Sequence, residues 1–311
     1  MVVTSVWRVA TFETVRVAAV QAAPVVLDAE ATVEKAIELL YEAASQGAEL
    51  VVFPECFVSL YPTGLWAADV ARWTSEADEL WMRMWASSID IRGPLVDQLA
   101  GACADRGVHL AIGVNEREDV RPGSLYNSLL YIGPEGLLHR HRKLMPTMHE
   151  RVFHGVGAGD DLDVVEIPGV GRVGGLICWE NRMPLARWQV YQGGPQIWVA
   201  PTADDSDGWI ASMRHIAIEA TAFVVSAPQY IPRAAYPADF PIGLPDGVDV
   251  LGRGGACITS PHGEVIAGPL YNEEGILVAD CDLGIALRAK RYFDVSGHYS
   301  RADVLDRTSL T

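Results

Sequence analysis

The stretch GRVGGLICWENRMPLARWQVYQGGPQIWVAPT, residues 171–202, decides the fold class. GRVGGLICWEN (171–181) reads as a strand that runs into polar residues. PLARWQVYQGG (184–194) reads as a helix, with Pro184 in its first turn, where no intrahelical N–H is needed. PQIWVAPT (195–202) reads as another strand. Continuing outward, residues 209–221 carry Ile210, Met213, Ala217 and Ala220 on one helical side, and AFVVSAPQ follows as a strand. GACITSPHGEVIAGPL then reads as a hairpin turning at Pro-His-Gly.

The same order stands in the first half. VRVAAVQAA (16–24) is a core strand, and Val33, Ala36, Ile37, Leu40 and Ala44 form a helical stripe that Asp28 caps and Gly47 ends. ELVVFPE (49–55) is an apolar strand stopped by Pro54. Leu95, Leu99 and Cys103 share a helix face, and HLAIGVNE (109–116) is a strand. SLYNSLLYIGPEGLLHRHRK (124–143) is a hairpin with a Pro-Glu-Gly turn. Two similar α/β halves are expected in one domain over 1–311, with a sheet core and helices outside. Residues 284–311 mix charge and aromatics with little periodicity and are expected to dock on the chain itself or on a partner subunit.

Composition narrows the function classes. The 311 residues hold 24 Lys+Arg and 40 Asp+Glu, a net charge of −16. That balance excludes general nucleic-acid binding, which needs a basic surface, and disfavours an anionic membrane. With 50% hydrophobic and 21% charged residues the chain can bury a large core. No apolar run reaches the roughly 18 residues of a membrane helix. The start, MVVTSVWRVATFET, lacks the pattern of a signal peptide. Five scattered cysteines without a CxxC pair suggest reduced thiols in a cytoplasmic setting and no zinc site.

Several pattern matches fail in context. Gly169, Gly171 and Gly174 fit GxGxxG, but a strand rather than a helix follows them. His149-Glu150 and His154 resemble a zinc-protease motif, but the histidines are five apart and fall on different helix faces. His139 and His141, beside Arg140, Arg142 and Lys143, read as a solvated basic strand. Asp204, Asp205 and Asp207 are too compressed for a calcium loop. No GxSxG occurs. No metal and no cofactor is expected.

Three residues share a more informative setting. Glu55 follows Pro54 at the end of an apolar strand, Lys143 ends the hairpin, and Cys178 ends VGGLIC before a polar turn. Open α/β sheets bind ligands beyond the carboxyl ends of their strands, where an acid, an amine and a thiol can form a covalent catalytic set. A lone cysteine more often packs as a small apolar group, and spacing alone leaves both readings open.

Local sequence adds a resemblance. FPE (53–55), HRKLMPTMHER (141–151) and GGLICWENRMPLAR (174–187) resemble the three signature blocks of the nitrilase superfamily of carbon–nitrogen hydrolases, in the family's order and at similar separations. The similarity runs from about Val15 to beyond His298. CWEN followed by MPLAR, and the later GHYSRAD, look like the nitrilase branch rather than the amidase or carbamoylase branches. The resemblance implies a four-layer α-β-β-α sandwich and hydrolysis of a small-molecule nitrile to a carboxylic acid and ammonia through a cysteine thioimidate and thioester. An amidase, a carbamoylase or a cyanide hydratase on the same scaffold is the alternative. It implies Glu55 as general base, Lys143 as the cation, Cys178 as nucleophile and Glu150 as a second carboxylate beside them. Cys56 stands where the family more often has Thr or Ala, and an inert neighbour is expected there. The resemblance also implies a homo-oligomer, a dimer or a longer spiral, with residues 284–311 in the contacts.

The chemistry fits these groups. A free thiol is only a few per cent ionised at pH 7, so a nearby ammonium and a proton-accepting carboxylate raise its reactivity. Attack puts negative charge on the nitrile nitrogen, where Lys143 and the backbone N–H of Trp179 are candidate donors. Tyr61, Trp66 and Trp209, with Trp179, are candidate pocket walls for an aryl or arylalkyl nitrile; core or subunit contacts suit the same aromatics equally.

Overall fold

A computed structural model describes residues 12–118 and 120–305. The first eleven residues, most of the stretch read for a signal peptide, and residues 306–311 of the expected contact tail lie outside them. Among the described residues thirteen strands form two sheets. In chain order they are β1 (Thr14–Gln21), β2 (Leu50–Val52), β3 (His109–Arg117), β4 (Leu125–Gly133), β5 (Gly136–Arg142), β6 (Val165–Ile167), β7 (Gly171–Gly175), β8 (Ile197–Thr202), β9 (Phe223–Pro228), β10 (Tyr230–Pro232), β11 (Val250–Thr259), β12 (Val265–Tyr271) and β13 (Gly275–Asp282). The first sheet has the order β13-β1-β2-β3-β4-β5 and the second β10-β11-β9-β8-β7-β6, with β12 on β11. Each centre is parallel, β1 to β2 to β3 and β7 to β8 to β9, and antiparallel strands complete the edges.

Alternation along the strands builds four layers. Val15, Val17 and Ala19 of β1, Leu50 and Val52 of β2, Ile197 and Val199 of β8 and Phe223 and Val225 of β9 meet in one core between the sheets. The intervening Ala18, Val20 and Val51 pack outward under α1 (Ala29–Ser45) and, past α2 (Ser75–Ala86), α3 (Pro94–Arg106). Trp198, Ala200 and Val224 pack outward under α4 (Pro184–Tyr191) and α5 (Asp207–Ala220). Strands buried on both faces read as continuous apolar runs, which is why ELVVF and QIWVA lack polar alternation. The α/β sandwich expected from the sequence is therefore present. Asp28 caps α1 by accepting from Ala31 N at 2.9 Å, as the sequence reading requires.

Several elements depart from that reading, the short strands β6 and β10 among them. The amphipathic α2 and the strand β13 were not distinguished in the sequence. β13 lies antiparallel to β1 over its whole length, from Thr14↔Asp282 to Gln21↔Gly275. The start of the aperiodic tail is helical, α6 (Leu283–Lys290), with Asp282 accepting from Gly284 N at its start. Among the described residues no helix is long and apolar enough to cross a membrane.

Candidate active site

Four chain segments leave the ends of β2, β5, β7 and β8 and converge. After β2 the chain carries Phe53-Pro54-Glu55 against β3. Gly113 of β3 permits this contact: a Cβ there would lie 2.4 Å from the Pro54 carbonyl oxygen and 2.6 Å from Glu55 Cα. Its N–H donates to that same carbonyl at 3.1 Å. Lys143 follows β5, and its N–H donates to Asn127 O at 2.8 Å. Glu150 lies in a short 3-10 turn, Met148–Val152.

These side chains form one buried ion cluster. Lys143 Nζ donates to Glu55 Oε1 at 2.7 Å and to Glu150 Oε1 and Oε2 at 2.7 and 3.0 Å. Asn127 Nδ2 donates to Glu55 Oε1 at 2.7 Å, and Tyr61 O–H donates to Glu150 Oε1 at 2.7 Å. Glu55, Lys143 and Glu150 are all buried. Two carboxylates share one ammonium, so they differ in proton affinity. Burial, with Glu150 adding to it, pushes Glu55 up against the pull of Lys143. Burial acts on Glu150 as well, but Lys143, His154 and the hydrogen bonds from Lys143 and Tyr61 outweigh it and hold that carboxyl low. Lys143 stays charged: burial lowers its pKa, but Glu55, Cys178 and Glu150 raise it well above the usual value.

Cys178 is not the last residue of a strand. β7 stops at Gly175, and Cys178 opens a 3-10 turn, Cys178–Arg182, with φ +50°. The polar residues after the cysteine pull the chain off the sheet. Glu180 folds back to accept from Ile177 N at 2.8 Å, and Asn181 Nδ2 donates to the carbonyls of Leu176 and Cys178 at 2.7 and 2.9 Å. Left-handed backbone at a non-glycine residue is strained and persists where its surroundings over-determine it. The thiol joins the cluster through the end of β8. Thr202 O–H donates to Cys178 Sγ at 3.2 Å, and the next N–H, of Ala203, donates to Glu55 Oε2 at 2.9 Å. Burial first, then Glu55, pushes the thiol up, and Lys143 only partly offsets them. The thiol therefore rests neutral beside a carboxylate whose raised pKa suits it to accept a proton.

The pocket aromatics separate by burial. Trp66 is 1% exposed, packs with Phe153 and Phe240, and donates from Nε1 to the Tyr236 hydroxyl oxygen at 3.0 Å. Trp209, on the buried face of α5, is 1% exposed and donates to Ser226 Oγ. Both are core residues rather than exposed pocket walls, because each indole N–H finds an internal partner and each ring an apolar cluster. Tyr61 contacts the ion cluster directly. Trp179, beside Cys178, is 43% exposed and donates to Asp204 Oδ2 at 2.8 Å.

His141 is buried rather than solvated. The strand read as solvated turns this side chain inward, where Nδ1 lies 2.8 Å from Asp161 Oδ1 and Nε2 3.0 Å from Glu180 Oε2. Both ring nitrogens face carboxylates, which only accept, so the ring is an imidazolium. Burial lowers its pKa, but Glu180 and Asp161 hold it at about 9. Glu180 also accepts from Leu144 N at 2.6 Å, so one carboxylate clamps the segments that carry Lys143 and Cys178. Cys56, also at positive φ, is fully buried, and burial pushes its thiol far up. Asn127, Thr202, Ala203 and Glu180 were not singled out in the sequence reading; the clearest available signal was the polar run after Cys178.

Comparison with known proteins bears on this geometry. The carbon-nitrogen hydrolase family model matches residues 16–291. An aliphatic nitrilase of Sinorhizobium fredii is 47% identical over 291 residues, covering 93% of each chain. A bifunctional nitrilase/nitrile hydratase of Lupinus angustifolius is 44% identical over 94% of this chain and 85% of its own. The crystal structure of Saccharomyces cerevisiae Nit3, described as a member of branch 10 of the nitrilase superfamily, superposes with a TM-score of 0.72 at 20% identity, covering 93% of this chain and 97% of that one.

Proposed function

The chain belongs to the carbon–nitrogen hydrolase family, and from that premise we propose that it is a nitrilase, converting an organic nitrile to a carboxylic acid and ammonia. The observation that carries this reading is a neutral thiol tied, through Thr202 and Ala203, to a carboxylate with a raised pKa that shares one ammonium with Glu150. Glu55 takes the Cys178 proton as sulfur attacks the nitrile carbon, one C–N π bond breaks, and Glu55 passes that proton to the nitrogen, which gives a thioimidate and leaves Glu55 ionised again. Lys143 and the N–H of Trp179 stabilise the charge that develops on that nitrogen; one such donor is typically worth about 3–4 kcal/mol in the barrier. Water, activated by Glu55, adds to the thioimidate and ammonia leaves. A second water releases the acid from the thioester. Glu150 does no proton transfer; it keeps Lys143 in place.

Loss of thiolate instead of ammonia from the first tetrahedral intermediate gives the amide. The Lupinus relative's name, nitrilase and nitrile hydratase together, favours amide as a second product. The test is a panel of aliphatic and aryl nitriles, with their amides in parallel, read for ammonia, acid and amide. Ammonia and acid from nitriles are expected; turnover of the amides alone would move the chain to the amidase reading.

The remaining expectations stand as part of the same proposal: one functional unit across 1–311, a cytoplasmic setting suited to five free buried cysteines, and a dimer or longer homo-oligomer joined through the C-terminal tail.

A further inference from the structure

We propose that Thr202 is a further catalytic residue, the hydrogen-bond donor that stabilises Cys178 sulfur whenever it carries negative charge. The inference rests on the reading of Cys178 as nucleophile. Thr202 ends β8 with its side chain fully buried. Its hydroxyl has one hydrogen, and the surroundings decide where that hydrogen points. Asp204 N–H donates to Thr202 Oγ1 at 2.9 Å, and Oγ1 donates to Cys178 Sγ at 3.2 Å. Asp204 is itself held by the residues that follow the cysteine: Trp179 Nε1 and Arg182 Nη2 donate to its Oδ2 at 2.8 and 2.9 Å. The loop that orients the hydroxyl is thus anchored to the turn that carries the thiol.

The cation of the cluster is already engaged. Lys143 Nζ is shared among Glu55, Glu150 and Thr147 Oγ1. Burial disfavours the thiolate, so a donor aimed at sulfur acts on the least stable species in the site. A hydrogen bond to an ionised acceptor is roughly twice as strong as one to a neutral acceptor. The Thr202 bond is therefore strong to the thiolate, weak to the resting thiol and weak to the sulfur of the thioimidate or thioester. Only an interaction stronger in the charged state than in the ground state lowers the barrier. The proton of Cys178 still goes to Glu55; the Thr202 proton stays on oxygen throughout. When the acid leaves and the C–S bond breaks, the same hydroxyl receives the departing thiolate.

The test is alkylation of Cys178 by iodoacetamide across pH, quantified by peptide mass, on wild type, Thr202→Val and Thr202→Ser. Loss of a hydrogen bond to a charged group lowers the thiolate population by about tenfold or more. The gain in nucleophilicity that accompanies a higher thiol pKa returns part of that. Alkylation of Thr202→Val is expected to slow several-fold at fixed pH with its pH profile moved upward, and Thr202→Ser to restore it. A Val profile that overlays wild type, or Val and Ser slowed alike, overturns the proposal. Should Val fail to fold, Thr202→Ala carries the same comparison. Because the reading needs no substrate, failure of the nitrile panel with the Val shift intact would sink the nitrilase assignment and leave Thr202 standing.

Discussion

At the scale of single residues, two similar carboxylates are separated by their surroundings. Both accept from Lys143; Glu150 also accepts from Tyr61 and is held low, whereas Glu55, which also accepts from Asn127 and the Ala203 N–H, is pushed up by its burial and by Glu150. A group raised in this way works as a base only above its pKa, so activity should rise as pH climbs through that of Glu55. Glu150→Gln removes the charge that raises Glu55. Its acid limb should move to lower pH, and kcat should fall by about tenfold or more, because a weaker base and a less firmly held Lys143 both act on the transition state. An unchanged pH–rate profile would remove Glu150 from this role. Glu55, Lys143 and Cys178 were legible in sequence because each sits in a contiguous signature whose neighbours do visible work: Glu180 and Asn181 after the cysteine build its turn. Trp66 and Trp209 were not legible as core, since an indole in a sequence does not reveal which partner its N–H will meet.

At the scale of elements, the end of β5 and the turn after β7 are held together by His141, Asp161 and Glu180. The alternation of His139, Arg140, His141 and Arg142 reads as basic and exposed, yet β5 pairs with β4 in a register that turns His141 inward. Registers of this kind depend on pairing partners that a single strand does not name. His141→Phe should destabilise the fold by about 3–5 kcal/mol, as it leaves two buried carboxylates without their cation. The imidazolium also sets a pH dependence. Its folded pKa, about 9, lies above the ordinary 6.5, so its stabilisation is complete below about pH 6.5 and is lost as pH rises through 9. Chemical denaturation of wild type and His141→Phe at pH 6 and pH 9.5 should give a gap that closes at the higher pH; a gap independent of pH would contradict the assignment.

For the whole molecule, a sheet core with helices outside followed from strand and helix periodicity, and the four layers from the family resemblance, whereas β13 followed from neither. Its pairing with β1 joins residues more than 250 positions apart, and nothing local to GILVADCD announces that partner. The tail beyond α6 leaves Tyr292 and Tyr299 exposed, as is Leu185 on α4. Scattered apolar side chains are ordinary on a surface, but their grouping on the tail suits the assembly proposed above. Light scattering should report a dimer or larger, and truncation after residue 290 should reduce the assembly; a monodisperse full-length monomer would contradict it.

The mechanism depends above all on a covalent bond between the sulfur of Cys178 and the substrate carbon. Rapid quenching of turnover on a nitrile, followed by peptide mass analysis, tests it most directly. A thioimidate or thioester adduct on the peptide containing Cys178, with Cys178→Ala inactive, is the predicted result. Undiminished turnover by Cys178→Ala, with no adduct on that peptide in the wild type, would contradict it.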